Sequence, residues 1–134
     1  MNIHLFDDFL RSKDTLWVYK GDRLVFASNK DGLQPLLEYI DRSVLHQDKV
    51  TIFDKIMGNA AALLSIKADC QEVYSPLGSE LAIQTLDDYL VKYHLSEVVP
   101  YIQNRSKQGM CPMEALSISK SPMEFYEALR QLNR

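Results

Sequence analysis

The stretch KVTIFDKIMGNAAALLSIKAD, Lys49 to Asp69, decides the fold. Val50 to Phe53 is short, mostly apolar and built from β-branched or aromatic residues, the composition of a strand buried on both faces. Almost at once Ala60-Ala61-Ala62-Leu63-Leu64 begins a run of strong helix formers. A buried strand that passes straight into a helix across Asp54 to Asn59 is half of a strand–helix–strand unit, because parallel neighbours need a helical crossover.

Toward the carboxyl end the alternation continues. QEVYSP, from Gln71, predicts a brief strand, and GSELAIQTLDDYLVKY, from Gly78, predicts a helix capped by Ser79 with Leu81, Ala82, Leu86, Tyr89 and Leu90 facing inward. HLSEVVPYIQN, from His94, reads as a last strand that Pro100 confines to an edge or a bulge. CPMEALSIS and SPMEFYEALRQLN then give two short helices with proline at the first position, and Ser121 with Glu124 forms a capping box on the second.

Toward the amino end, DGLQPLLEYIDRSVLH has helical spacing through Leu33, Leu36, Leu37, Ile40 and Val44, and Pro35 is tolerated in its first turn. TLWVYKGDRLVFAS holds two strand-like runs, Thr15 to Lys20 and Arg23 to Ser28, around Gly21-Asp22, which predicts a β-hairpin. MNIHLFDDFLRSK places Ile3, Leu5, Phe6, Phe9 and Leu10 on one helical stripe. An antiparallel hairpin followed by alternating strands and helices predicts an α/β domain, a three-layer α/β/α sandwich around a mixed sheet with helices on both faces.

The 134 residues, 46% of them hydrophobic, suit one domain spanning 1–134 with a core that needs no disulfide or structural metal. Eighteen acidic against 15 basic side chains leave a net charge of −3, which argues against a nucleic-acid-binding surface. No secretory signal and no apolar run of membrane-spanning length is present, and two cysteines without an export signal predict free thiols in a reducing cytoplasm.

In sheets of this kind ligands sit beyond the carboxyl ends of the parallel strands. Those ends fall at Ser28 to Asp31, Asp54 to Gly58, Ser75 to Gly78 and Asn104 to Cys111. Asp31, Asp54, Lys55, Gly58, Asn104 and Arg105 are accordingly the expected ligand-binding residues. Asp54 and Lys55 could hold a polar group, although Asp54 would equally serve as a helix cap. Arg105 with Lys30 and Lys55 would give a cationic rim favouring phosphate or carboxylate. Cys111, ahead of Pro112, stands at a helix start where the helix dipole favours thiolate, so it is the candidate catalytic nucleophile. Burial as a small hydrophobe is its competing reading. Gly109 serves the turn, Glu114 reads as the acid of a cap with facing the pocket as its alternative, Trp17 and Phe26 read as core, and Met57, Met110, Met113 and Met123 as gap-fillers.

The order of elements resembles the cytidine-deaminase-like fold. DKIMGNAAALL and VPYIQNRSKQGMCPMEAL resemble an uncharacterised family of bacterial domains of unknown function assigned to that fold. The resemblance implies a fold and a pocket, but no activity. Zinc deaminases need His or Cys with a nearby Glu at the start of the second helix and Pro-Cys-x-x-Cys at the third. Here Asp31 and Gly32 stand at the first place and Asp54, Lys55 and Gly58 at the second. His4, His46, His94 and Cys70 are scattered without ligand spacing. No metal and no cofactor is therefore expected. The leading expectation is a metal-free ligand-binding or regulatory domain for a small anionic or nucleotide-like molecule. The alternatives are an enzyme using Cys111 for acyl or glycosyl transfer, and a structural interaction module of the kind that forms a homodimer.

Overall fold

A computed structural model describes residues 3–42 and 49–132. Along the chain run α1 (Ile3–Arg11), β1 (Leu16–Lys20), β2 (Arg23–Ser28), α2 (Gln34–Arg42), β3 (Val50–Asp54), α3 (Asn59–Lys67), β4 (Cys70–Ser79), α4 (Glu80–Asp88), β5 (Lys92–Val99), α5 (Pro112–Ser117) and α6 (Pro122–Leu132). The five strands form one mixed sheet in the order β2-β1-β3-β4-β5, with β1 antiparallel to both neighbours and β3, β4 and β5 parallel. The expected positions of Val44 and His46 lie outside the described residues.

Strand alternation divides the core in two. Leu16, Val18, Val50, Ile52 and Val73 point to one face, where they meet buried residues of α2, α3, α4 and α6. Tyr19, Phe53 and Tyr74 point to the other and pack with Phe9 of α1 and the partly buried Trp17. Among the described residues helices cover both faces, one against five. Both parallel crossovers lay their helices, α3 and α4, on the same side. α3 is central there, its first seven residues Asn59–Ser65 all buried, which explains why its sequence shows no polar face.

The opposite face is an aromatic sheet surface under α1. The Phe9 ring lies 5.2 Å from Trp17 and 5.9 Å from Phe53, and Phe53 stacks on Tyr74 at 4.9 Å. Complete burial of Phe9 contributes roughly 2–3 kcal/mol, enough to hold a nine-residue helix that would not persist alone.

Several boundaries differ from the sequence expectation. β4 extends to Ser79 rather than ending at Pro76, because Leu77 to Ser79 stay paired with Glu97 to Val99 of β5, with Met57 bridging to Gly78 on the other side. α4 stops at Asp88 rather than Tyr93, since Leu90 takes a left-handed conformation (φ 59°) and the strand resumes at Lys92. Leu90 is 90% exposed and Tyr89 46%, so the inward positions expected for both are not found, whereas Ala82 and Leu86 are fully buried. Ser79 caps α4 by accepting from the Ala82 amide at 3.1 Å, and Ser121 with Glu124 forms the reciprocal capping box. No helix among the described residues is long and apolar enough to cross a membrane.

Candidate functional site

A cleft of about 330 Å³ opens where β3 ends. β3 ends at Asp54, but Met57 still bonds to β4: its amide donates to the Leu77 carbonyl at 2.8 Å, and its carbonyl accepts from Ser79 at 3.2 Å. Between Asp54 and Met57 the pairing is interrupted, and α3 starts immediately after Gly58. Small residues at this start, Gly58, Ala60 and Ala61, let the helix backbone form the cleft floor. Asp31 and Gly32 come from the turn before α2, where Gly32 has a φ of 69° that glycine adopts without strain. Ile102, Cys111 and Glu114 close the remaining wall.

Asp54 is the polar group in this otherwise mostly apolar cavity that stands out energetically. It is 9% exposed, and its Oδ1 accepts only a long bond, 3.4 Å, from the Ile56 amide. Burial pushes its carboxyl from 3.8 up to about 7, opposed in part by the backbone N–H groups of Ile56 and Lys55. Lys55 does not neutralise it. One residue further along an extended chain, its side chain passes to the opposite face, where Nζ donates to the Ser12 carbonyl at 3.1 Å and lies 4.8 Å above the Phe9 ring.

The buried Glu114 forms the second polar feature. Its Oε1 accepts from the Asn59 amide at 2.6 Å and its Oε2 from the Ile102 amide at 2.8 Å. It therefore caps α3, not its own helix as the sequence reading had it, and satisfies the first amide of α3 with a charge that complements the helix dipole. Asn59 continues the network: Nδ2 donates to Ser117 Oγ at 2.9 Å, Oδ1 accepts from Thr85, and Ser117 Oγ donates to the Glu114 carbonyl at 2.6 Å. Ala62 bonds to the Gly58 carbonyl, leaving the amides of Ala60 and Ala61 without a partner among the described residues.

Cys111 is the N-cap of α5, with its amide on the Ile102 carbonyl at 2.8 Å and its carbonyl on Ala115. Its side chain makes no capping bond, is partly buried and lines the cleft. Among the described residues no histidine lines the cleft with it. His94 lies on the aromatic face, stacked on Tyr74 at 4.2 Å and 2.7 Å from Glu72. Of the sequence-derived candidates, Asp31, Asp54, Lys55, Gly58 and Cys111 share this cavity. Asn104 lines a neighbouring one, and Arg105 lines neither. The cationic rim expected of Lys30, Lys55 and Arg105 does not assemble at the cleft, since Lys30 is held by Glu38 at 2.7 Å and Lys55 by Ser12. Sequence reasoning missed Asn59, Thr85 and Ser117, whose partners are remote in the chain.

A family model described as "Domain of unknown function (DUF1893)" matches residues 6–132, nearly the whole chain. The chain belongs to the DUF1893 family. The crystal structure of a DUF1893 family protein (TM1506) from the bacterium Thermotoga maritima is similar to it with a TM-score of 0.84 at 23% identity, covering 96% of this chain and 87% of that one. At that identity the likeness speaks for the fold of this DUF1893 domain. No curated protein matches it.

Proposed function

We propose that this DUF1893 domain is a ligand-binding or regulatory domain of cytidine-deaminase-like, three-layer architecture whose cleft takes a small, largely apolar head group carrying an N–H donor. The observation that carries the reading is Asp54: a buried carboxyl in the wall of an apolar cavity with no cationic side chain among the described residues paired to it. Burying an unpaired acid costs folding free energy, and a ligand that donates to it recovers that cost. The same geometry disfavours an anion inside the cleft, because Asp54 and Asp31 line it and Glu114 already occupies the first amide of α3. An amidine-type edge, as on adenine or cytosine, presents the complementary donor. This keeps the nucleotide-like part of the sequence expectation and moves any anionic part elsewhere.

The fold half rests on the element order, α-β-β-α-β-α-β-α-β-α-α, with an antiparallel hairpin leading into parallel strands. A zinc ion of the deaminase kind does not fit these residues. Asp31 and Gly32 precede α2, Asp54, Lys55 and Gly58 precede α3, Glu114 commits both oxygens to amides, and among the described residues no three His, Cys, Asp or Glu side chains are grouped to hold a metal.

Equilibrium dialysis with adenine, cytosine and benzamidine tests the reading. Wild-type protein is expected to bind at least one of these head groups, and Asp54→Asn to weaken that binding about tenfold or more. Absence of binding by all three, or binding indifferent to Asp54→Asn, would refute it.

A further inference from the structure

The cleft does not end at its rim. A second cavity of about 430 Å³ adjoins it, and Ile56 and Ile102 line both. Ile56 forms the ridge between them and is 49% exposed, a large apolar side chain left in water at the junction of two hollows. The second cavity also has Gln103, Asn104 and Lys107 in its lining, none of which lines the first. These residues belong to a folded loop. Gln103 bridges to Met110, the Asn104 amide donates to the Gly109 carbonyl at 2.8 Å, and the Lys107 amide donates to the Asn104 carbonyl at 3.0 Å. Asn104 Oδ1 also accepts from Ser106 and Gln108, so the loop shape is fixed before any ligand arrives. Lys107 makes no ion pair with a described carboxylate.

We infer that the two cavities form one elongated site, resting on the reading of the cleft above: an amidine-edged head group at Asp54, a body covering Ile56, and an anionic tail, phosphate or carboxylate, at Lys107. The arrangement separates opposite charges. The acid at one end selects a donor, the cation at the other selects an anion, and the ridge between supplies apolar contact. A ligand reversed in the site would set its anion against Asp54 and a donor edge against Lys107, so the polarity of the site also fixes orientation.

Isothermal titration with cytosine, cytidine, cytidine 5′-monophosphate and cytidine 5′-carboxylate, in parallel with the adenine series, tests the inference. The expected result is affinity rising along the series, with at least a tenfold gain from an anionic tail that falls with added salt and disappears in Lys107→Gln but survives in Lys107→Arg. Comparison of the two tails tells which anion the site prefers. Bases alone are expected to bind Lys107→Gln as they bind wild type. If a base binds and needs Asp54, but tails add nothing or Lys107→Gln leaves their gain intact, the elongated site is wrong while the cleft reading stands. If no base binds, both fall.

Discussion

Oε1 of Glu114 lies 2.6 Å from the backbone nitrogen of Asn59, a residue 55 positions earlier in the chain, and this bond ties the wall of the cleft to its floor. The second oxygen holds the Ile102 amide, so one carboxylate fixes the start of α3, the loop after β5 and α5 together. Glu114→Ala is expected to leave two amides without their charged acceptor and to lower stability by about 3 kcal/mol, read as a fall in the urea midpoint. Glu114→Gln should recover only part of that loss, because its amide nitrogen is a donor facing a donor.

Gly58 stands against the same carboxylate. A Cβ there would lie 2.7 Å from Ile102 Cγ1 and 2.9 Å from Glu114 Oε1, and that oxygen is pinned. Gly58→Ala should therefore cost roughly 1–3 kcal/mol. Gly109→Ala, whose Cβ would meet nothing closer than Asn104 Nδ2 at 3.7 Å, is expected to change the melting temperature much less.

The raised carboxyl of Asp54 makes stability depend on pH. The folded state holds the proton more tightly than the unfolded chain, so the group costs nothing below pH 3.8 and progressively destabilises the fold as pH rises toward 7. The full effect is on the order of 4 kcal/mol. Asp54→Asn removes it. Melting temperatures of wild type and Asp54→Asn should converge near pH 4 and separate by pH 8, with the variant more stable; parallel curves would contradict the burial argument.

The same titration governs a permanently cationic probe. Benzamidine pairs with the ionised form of Asp54, so its affinity should rise roughly tenfold between pH 6 and pH 8, as the carboxylate goes from minority to majority around pH 7. A flat profile would place the probe away from Asp54.

The two thiols differ in access. Cys70 is buried and its thiol is pushed up to about 12 by desolvation, whereas Cys111 is partly exposed in the cleft. Iodoacetamide should label Cys111 first and leave Cys70 intact in the folded protein, and a bound head group should slow the labelling. Equal labelling of both would mean that the native packing around Cys70 opens readily. The alkylation rate against pH also bears on the alternative of Cys111 as nucleophile, for which no histidine among the described residues lines the cleft as a base.

Local signals made much of the fold legible. Gly21-Asp22 between two β-rich runs marked the hairpin, Ser121 with Glu124 marked the last helix, and Val50 to Phe53 followed by alanines marked the central strand–helix passage. What depended on direction or distance was lost. Lys55 does line the cleft with Asp54, but its ammonium turns away to Ser12, as adjacent residues of an extended chain point to opposite faces, a signal the sequence did contain. The end of α4 turned on a left-handed Leu90, which no glycine or asparagine announces. The reach of Glu114 to Asn59 follows from how α5 docks on α3, and pairs so distant in sequence leave no spacing to read.

The most direct test of the account is a ¹⁵N–¹H NMR titration with cytosine, adenine and benzamidine. The account predicts that the binding head group shifts the amides of Lys55, Ile56, Ala60, Ala61 and Cys111 around Asp54, and that these shifts vanish in Asp54→Asn. Binding that instead moves amides on the aromatic face near Tyr74 and His94, or shifts that persist unchanged without the Asp54 carboxylate, would contradict it.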